Sequence, residues 1–356
     1  MNIGVIGQGT NGSWNMAQVA SANGCNVFLF DANSSQTEKA LQNLKQTLTK
    51  LAEKQKISVE ESEQIFSRVK FCTTLQELKD SDLVIEAIIE NKEIKTKVFS
   101  ELEDYVSDIY QRFELVFIFS PLPLMPLVEI IPGLLTNEQL PQKVYDLMKS
   151  WKKVPVIAKD IPGFIVNRIA RPYYGEALRI VEENIATPQQ VDDAMTSLGN
   201  FRMGPFELMD LIGIDVNFAV TTTVYKDYFY DPKYKPSLLQ QRMAEAKLLG
   251  RKTNRGFYDY REGAVKSVAQ RDDVLYEKIF IRIISMLVNE AVEAKRLSIA
   301  NDEDIELAMQ KGVNYPKGLL SWGQEIGYKT ISETLQNLHD EYQEERYRQS
   351  PLLDKI

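Results

Sequence analysis

From residue 176 onward the chain repeats itself. Glu176-Ala177 recurs as Glu290-Ala291, Ile185-Ala186 as Ile299-Ala300, Ala194-Met195 as Ala308-Met309 and Asn200 as Asn314, and Gly204, Ile212 and Gly213 recur as Gly318, Ile326 and Gly327, always at an offset of 114. Common residues coincide by chance here and there, but not in a gapless run of this kind. Self-similarity at a fixed offset marks a duplicated unit. The second half of the chain is therefore two copies of one module, 158–262 and 273–356, joined near Gly263 to Asp272.

The first 157 residues read differently. Short apolar runs at Ile3 to Ile6, Val27 to Phe30, Val69 to Cys72 and Leu83 to Ile89 alternate with helical patterns at Gly12 to Ala22, after Ser34 and Ser35 through about Gln55, and from Lys92 to Tyr110. That alternation predicts a parallel, doubly wound sheet. The run at Leu83 to Ile89 is nearly continuous, as in a strand buried on both faces. Leu115 to Phe119 is apolar again, and Pro121, Pro123 and Pro126 then forbid a regular element. After Ile157 the predicted elements become helical: Ile165 to Glu183, Pro188 to Leu198 and Phe206 to Phe218, with Pro162-Gly163 at the boundary. The organisation expected is an α/β domain at 1–157 followed by all-helical modules.

Composition limits the functions. With 356 residues, 44% of them hydrophobic and 26% charged, the chain has enough apolar material for two or three packed cores. Its 42 basic and 50 acidic residues give a net charge of −8, so it has no electrostatic footprint for nucleic acid or anionic membrane. No apolar run reaches the roughly 18 residues that span a bilayer, and no secretory signal is seen, so a cytoplasmic protein is expected. Cys25 and Cys72 fall in no metal-binding spacing; no metal is expected, and a reducing compartment suits them. The single His339 lies in a charge-rich stretch near the C-terminus, which excludes a histidine base in the N-terminal two-thirds.

One motif carries chemistry by itself. Gly7-Gln8-Gly9-Thr10-Asn11-Gly12 is a G-x-G-x-x-G that follows a strand and opens a helix. The first glycine allows the tight turn, the second lets backbone approach a pyrophosphate, and the third permits close helix–strand packing. The helix N-terminus adds N–H donors and positive potential. Asp31, 19 residues after Gly12, ends the second strand, where a carboxylate accepts hydrogen bonds from ribose hydroxyls and repels a 2′-phosphate. Gly7, Gly9, Thr10, Asn11, Gly12 and Asp31 are thus candidate cofactor residues, and NAD is favoured over NADP.

Further segments resemble the 3-hydroxyacyl-CoA dehydrogenase family. They are Asp82-Leu83-Val84-Ile85-Glu86-Ala87 with Glu90-Asn91, Pro123-Leu124-Met125-Pro126-Leu127-Val128-Glu129, and Lys159-Asp160-Ile161-Pro162-Gly163-Phe164-Ile165-Val166-Asn167-Arg168. Met203-Gly204-Pro205-Phe206-Glu207-Leu208 and Gly250-Arg251-Lys252-Thr253 with Gly256-Phe257-Tyr258 continue the likeness over nearly the whole chain. The duplicated module, with Asn314-Tyr315-Pro316-Lys317-Gly318 and Arg346-Tyr347-Arg348, is similar to long bacterial members acting on 3-hydroxyadipyl-CoA or 3-hydroxybutyryl-CoA. The resemblance implies a Rossmann NAD-binding domain followed by two helical C-terminal modules. It also implies NAD-dependent oxidation of L-3-hydroxyacyl-CoA to 3-oxoacyl-CoA, in fatty-acid or phenylacetate degradation. By position, Glu129 matches the carboxylate that orients the family's histidine base, Asn167 the amide that holds the reacting oxygen, and Glu90 and Lys95 cofactor contacts. An acyl-CoA partner is implied, together with association through the helical half, where helices such as Ile279 to Val288 need apolar partners. In single-module relatives a second subunit supplies the second copy, a role the internal duplication can take over.

Three departures stand out. The family's His-Phe-Phe-Asn-Pro aligns with Phe117-Ile118-Phe119-Ser120-Pro121, so a side chain that takes no proton replaces the base. Between Glu103 and Phe117 the chain is one strand–helix unit short, the unit that carries the family's catalytic serine. Its loss leaves the sheet either to close up or to keep unpaired backbone. In the fingerprint helix, Gly12-Ser13-Trp14-Asn15-Met16-Ala17-Gln18 has one residue more than usual and sets an indole beside the phosphate loop. Two functional expectations follow: an NAD-dependent dehydrogenase, or a catalytically impaired relative that retains NAD and CoA binding or an assembly role.

Overall fold

A computed structural model describes residues 1–7, 13–88, 91–105, 115–118, 125–265 and 268–356, with backbone only at 13, 34, 37 and 115–118. The chain forms two compact units, Met1–Ile157 and Ala158–Ile356.

In the first unit, β1 (Asn2–Ile6), β2 (Asn26–Phe30), β3 (Val69–Cys72) and β4 (Leu83–Glu86) form a parallel sheet in the order β3-β2-β1-β4. This is half of a dinucleotide-binding fold. A second sheet holds β5 (Leu115–Ile118), β6 (Leu127–Ile131) and β7 (Val154–Ile157), with β5 antiparallel and β7 parallel to β6. Among the described residues β4 pairs only with β1, and the shortened region at 106–114 lies outside them. Strand β4 is half-buried at all four positions rather than buried on both faces as its apolar sequence predicts. An apolar core nevertheless joins Ile3 and Val5 of β1, Val128 and Ile130 of β6, Ala17 and Ala20 of helix Ser13–Ala22, and Val144 and Met148 of helix Leu140–Ser150.

Helix Ser34–Glu53 is capped by Asn33, whose side chain accepts from Ser35 N, and not by the serines the sequence suggested. Trp14 packs against Leu44, Leu48 and Ile65 of the helices Ser34–Glu53 and Val59–Ser67. The indole thus serves the helix layer, and the phosphate loop it was expected to stand beside lies outside the described residues. Helix Lys92–Glu103 begins on an Asn91 cap and has ended by Asp104, short of Tyr110.

The second unit is helical throughout and shows the duplication in its backbone. Left-handed or positive-φ residues recur at the same offset: Asn184 (56°) with Ser298 (50°), Asn200 (53°) with Asn314 (54°), Gly213 (103°) with Gly327 (91°), and Phe229 (51°) with Gln343 (52°). Gly213 breaks the predicted helix Phe206 to Phe218 into Pro205–Ile212 and Ile214–Asp227. Helix Asp273–Arg296 runs through the middle, buried nearly all round, and packs on helices Arg171–Glu182, Pro188–Gly199, Leu319–Ile326 and Tyr328–Tyr342. The apolar helix that the sequence left in need of a partner therefore finds it within the chain.

The two modules exchange charges reciprocally. Arg168 Nε lies 3.4 Å from the buried Glu290, which also accepts from Tyr234 Oη at 2.9 Å and Lys233 Nζ at 2.6 Å. Its counterpart Arg282 Nε donates to Glu176 at 2.6 Å, beside Tyr347 Oη at 2.8 Å and Arg346 at 3.9 Å. Burial opposes the ionisation of Glu290, yet Lys233 and Arg168 hold its carboxyl below the usual range. Each buried glutamate is compensated by the other module, so neither module is electrostatically complete alone.

Candidate active site

The carboxyl ends of β1, β2 and β4 meet at one edge, since Ile6 pairs with both Phe30 and Glu86. Gly7 leaves β1 there with φ +88°, and a Cβ would meet Ile88 Cγ2 at 2.7 Å and the Ala87 carbonyl at 2.9 Å. Only glycine fits. Its N–H donates to Phe30 O at 2.9 Å, locking the turn onto β2. Asp31 follows β2 directly, and its carboxylate accepts from Asn33 N at 2.7 Å, which fixes it at this edge. Lys95, one turn into helix Lys92–Glu103, is paired with Glu86 at 3.3 Å. The structure thus brings Gly7, Asp31 and Lys95 to the ligand-bearing edge of a doubly wound sheet. Gly9, Thr10, Asn11, Gly12 and Glu90 lie outside the described residues.

These features fit NAD. The cradle at Gly7 admits no side chain, a carboxylate stands at the end of β2, and the first turn of helix Ser13–Ala22 carries no acidic residue that would repel a pyrophosphate.

Glu129 sits in the middle of β6 and is fully buried. The β5–β6 register sets position 117 directly across from it. The residue aligned with the family's base is therefore the cross-strand partner of the residue aligned with its orienting carboxylate, and here it is phenylalanine. Ser120 lies outside the described residues.

Asn167 belongs to the second unit. Gly163, at φ +76°, lets the chain turn back so closely that a Cβ would meet Arg168 N at 2.9 Å, and the short helix Val166–Ile169 follows. Arg168 points into the protein toward Glu290, whereas Asn167 is half-buried and its side-chain amide makes no hydrogen bond among the described residues. The motif therefore splits into a buried arginine that joins the modules and an amide with spare donor and acceptor capacity. His339 is half-buried on helix Tyr328–Tyr342, 3.8 Å from Asp340, within the second module.

Sequence reasoning missed Asp192 and Asp210, which organise the Met-Gly-Pro-Phe and Gly-Arg-Lys-Thr segments. Asp192 accepts from Phe206 N and Glu207 N, both at 2.9 Å, and from Tyr258 Oη at 2.7 Å. Asp210 accepts from Phe257 N at 3.0 Å and Tyr258 N at 2.9 Å, and Gly250 and Gly256 leave room for it. The only signal available was a pair of carboxylates near glycines. Among the described residues no group of three or more His, Cys, Asp or Glu is placed to hold a metal, and no helix is long and apolar enough to cross a membrane.

Comparison with known proteins agrees with this geometry. Residues 2–111 and 106–161 match the NAD-binding domain of 3-hydroxyacyl-CoA dehydrogenase, and 163–260 and 279–356 match the C-terminal domain, once for each module. A 3-hydroxyadipyl-CoA dehydrogenase of Escherichia coli (strain K12) is 31% identical over 457 aligned positions, covering 99% of this chain and 96% of the relative. A chain of 356 residues leaves at least 101 of those positions empty, more than the single strand–helix unit that the resemblance led us to expect. A 3-hydroxybutyryl-CoA dehydrogenase of Clostridioides difficile is 37% identical over 73% of this chain and 99% of its own length. The crystal structure of a 3-hydroxybutyryl-CoA dehydrogenase from Escherichia coli K12 superposes with a TM-score of 0.92 at 30% identity, covering 100% of this chain and 98% of that one. A Rossmann edge suited to NAD, two copies of the helical domain and these likenesses together place the chain in the 3-hydroxyacyl-CoA dehydrogenase family of NAD-dependent oxidoreductases.

Proposed function

We propose that this protein binds NAD and an acyl-CoA and interconverts an L-3-hydroxyacyl-CoA with its 3-oxoacyl-CoA. The observation that carries the reading is the preserved cofactor edge at Gly7 and Asp31, together with the uncommitted amide of Asn167. Gly7, Gly9, Thr10, Asn11 and Gly12 would cradle the pyrophosphate, Asp31 would hold the ribose, and Glu90 and Lys95 would contact the cofactor as well. NAD, when bound, supplies the hydride acceptor. Asn167 holds the C3 oxygen by donating a hydrogen bond to it, and Glu129 supplies a buried carboxyl group at the position paired with 117. Two substrates are suggested by the relatives' names, a 3-hydroxyadipyl-CoA and a 3-hydroxybutyryl-CoA, and with them a place in phenylacetate or fatty-acid degradation. A reducing cytoplasm suits the two buried, unbridged thiols, of which Cys72 is pushed up to about 11 by burial and is a poor nucleophile.

A second reading is favoured by the register of Phe117 with Glu129: a relative that binds both ligands but turns over slowly. A positioned general base contributes about 10²- to 10⁴-fold, and phenylalanine contributes none of it. The test combines a fluorescence titration with NADH and an NADH-oxidation assay with acetoacetyl-CoA. Binding of NADH is expected in either case, and its failure would remove the cofactor assignment. Turnover at an ordinary rate favours the first reading, and binding without turnover the second. Phe117→His is expected to raise the rate about tenfold or more yet leave it well below that of an intact relative, because the serine-bearing unit is still missing. Full recovery in that single variant would show that the shortened region is not where the alignment puts it.

A further inference from the structure

Four arginines are buried among the described residues: Arg168, Arg171, Arg282 and Arg346. Three of them have a carboxylate within 4 Å: Arg168 has Glu290 at 3.4 Å, Arg282 has Glu176 at 2.6 Å, and Arg346 has Glu344 at 3.0 Å. Arg171, only 7% exposed, has none among the described residues. A guanidinium removed from water without a counter-ion is costly, so such a group calls for a reason. Burial pulls the Arg171 guanidinium below its ordinary value.

Its position supplies the reason. Arg171 stands four residues after Asn167, about one turn of chain further on, across the Ala170 junction between helices Val166–Ile169 and Arg171–Glu182. Its side chain folds back along that turn: Nε donates to Asn167 O at 2.7 Å, Nη1 donates to Thr221 Oγ1 at 3.1 Å, and Tyr174 lies 5.1 Å from the guanidinium carbon. Those contacts fix the plane of the group and leave Nη2 without a hydrogen-bond partner among the described residues. The internal repeat provides a control. Arg168 recurs as Arg282, because both are needed to join the modules, but the counterpart of Arg171 is Ser285 and that of Asn167 is Ile281. The module fold therefore does not require a charge at this place; it accompanies the amide.

We propose that Arg171 is the specificity residue for an acyl chain that ends in a carboxylate, pairing with the terminal carboxylate while Asn167 holds the C3 oxygen. The proposal rests on the assignment of Asn167 to that oxygen. The spacing agrees, because in a six-carbon dicarboxylyl thioester the far carboxyl carbon is three carbon–carbon bonds from C3, roughly 4 Å when extended. Its oxygens lie beyond that, within reach of a guanidinium whose Nε is bonded to the Asn167 carbonyl. A carboxylate there also restores the missing counter-ion with a charge-assisted hydrogen bond. A straight saturated chain of the same length offers neither.

Calorimetric titration of the full chain with adipyl-CoA and hexanoyl-CoA, each in the presence of NADH, tests this without requiring turnover. Adipyl-CoA is expected to bind at least tenfold tighter. In Arg171→Met the ratio of the two affinities should fall to near one, and in Thr221→Val, which loosens the guanidinium but keeps its charge, it should fall about threefold. Thr221→Val and the wild-type ratio decide the matter if Arg171→Met fails to fold. Equal affinities in the wild-type protein, or a preference that survives in Arg171→Met, would overturn the carboxylate assignment alone. Failure of both thioesters to bind would overturn the acyl-CoA reading and this proposal with it.

Discussion

The two helical modules share a backbone but not a task. Both use a carboxylate on one helix to cap the next: Asp192 accepts from Phe206 N and Glu207 N, and Glu306, its counterpart 114 residues on, accepts from Leu320 N at 2.7 Å and Ser321 N at 3.2 Å. Both send an arginine into the other module. Yet the first module presents Asn167, Arg171 and the exposed apolar side chains Leu211 and Val216, where the second has Ile281, Ser285, Glu325 and Thr330. The conserved devices are those that any copy needs in order to fold. The divergent positions include Asn167 and Arg171, so under the proposed function the first module meets the ligand and the second supports it.

The largest effect tests the partnership. Removing Arg282 (Arg282→Met) leaves Glu176 without its main counter-charge, and removing Lys233 (Lys233→Met) does the same to Glu290. Each is expected to cost about 3–5 kcal/mol, the usual penalty for stranding one member of a buried pair. Because the carboxylates are compensated across the modules, hydrogen exchange in helices Arg171–Glu182 and Asp273–Arg296 should accelerate together in either variant. Loss of protection confined to one module would show that the copies fold independently and that the reciprocity is incidental.

A smaller effect separates the copies. A Cβ at Gly204 would run into the backbone Cα of Asp192, whereas at Gly318 it would meet only the carboxylate end of Glu306. Backbone cannot move aside cheaply, while the far end of a glutamate can. Gly204→Ala is expected to cost about 2–3 kcal/mol and Gly318→Ala less than about 1 kcal/mol, measured by urea unfolding. Equal costs would mean that the second cap is as rigid as the first.

Much of this was legible in the sequence, for unequal reasons. The repeat and the Rossmann fingerprint announce themselves because a fixed offset and a glycine spacing survive without knowledge of contacts. The family motifs likewise led to Glu129 and Asn167. What stayed hidden depends on long-range pairing. Nothing local shows that Arg168 reaches Glu290, that Asp192 serves a helix 14 residues away, or that Arg171 differs from the other buried arginines in having no acid among the described residues. The strand β4 misled for a related reason. Its apolar run describes a strand buried on both faces, and burial depends on neighbours that the run itself does not name.

The smallest expected effect concerns the first cap alone. Burial pushes the Asp192 carboxyl up to about 7, against the pull of hydrogen bonds from Tyr258, Phe206 and Glu207. A carboxyl raised in the folded state contributes stability that is complete below its unfolded value near 4, and that is lost as pH rises toward 7. Above pH 7 the loss is complete. Asp192→Asn cannot ionise, and it keeps an oxygen that accepts from the helix N-terminus. The variant should therefore be less stable than the wild type at pH 4.5 and gain on it with rising pH, the gap narrowing by on the order of 2 kcal/mol by pH 8. Urea unfolding of both proteins across that range measures the gap directly. A gap that stays constant would mean that Asp192 is ionised throughout, and that the three hydrogen bonds outweigh its burial.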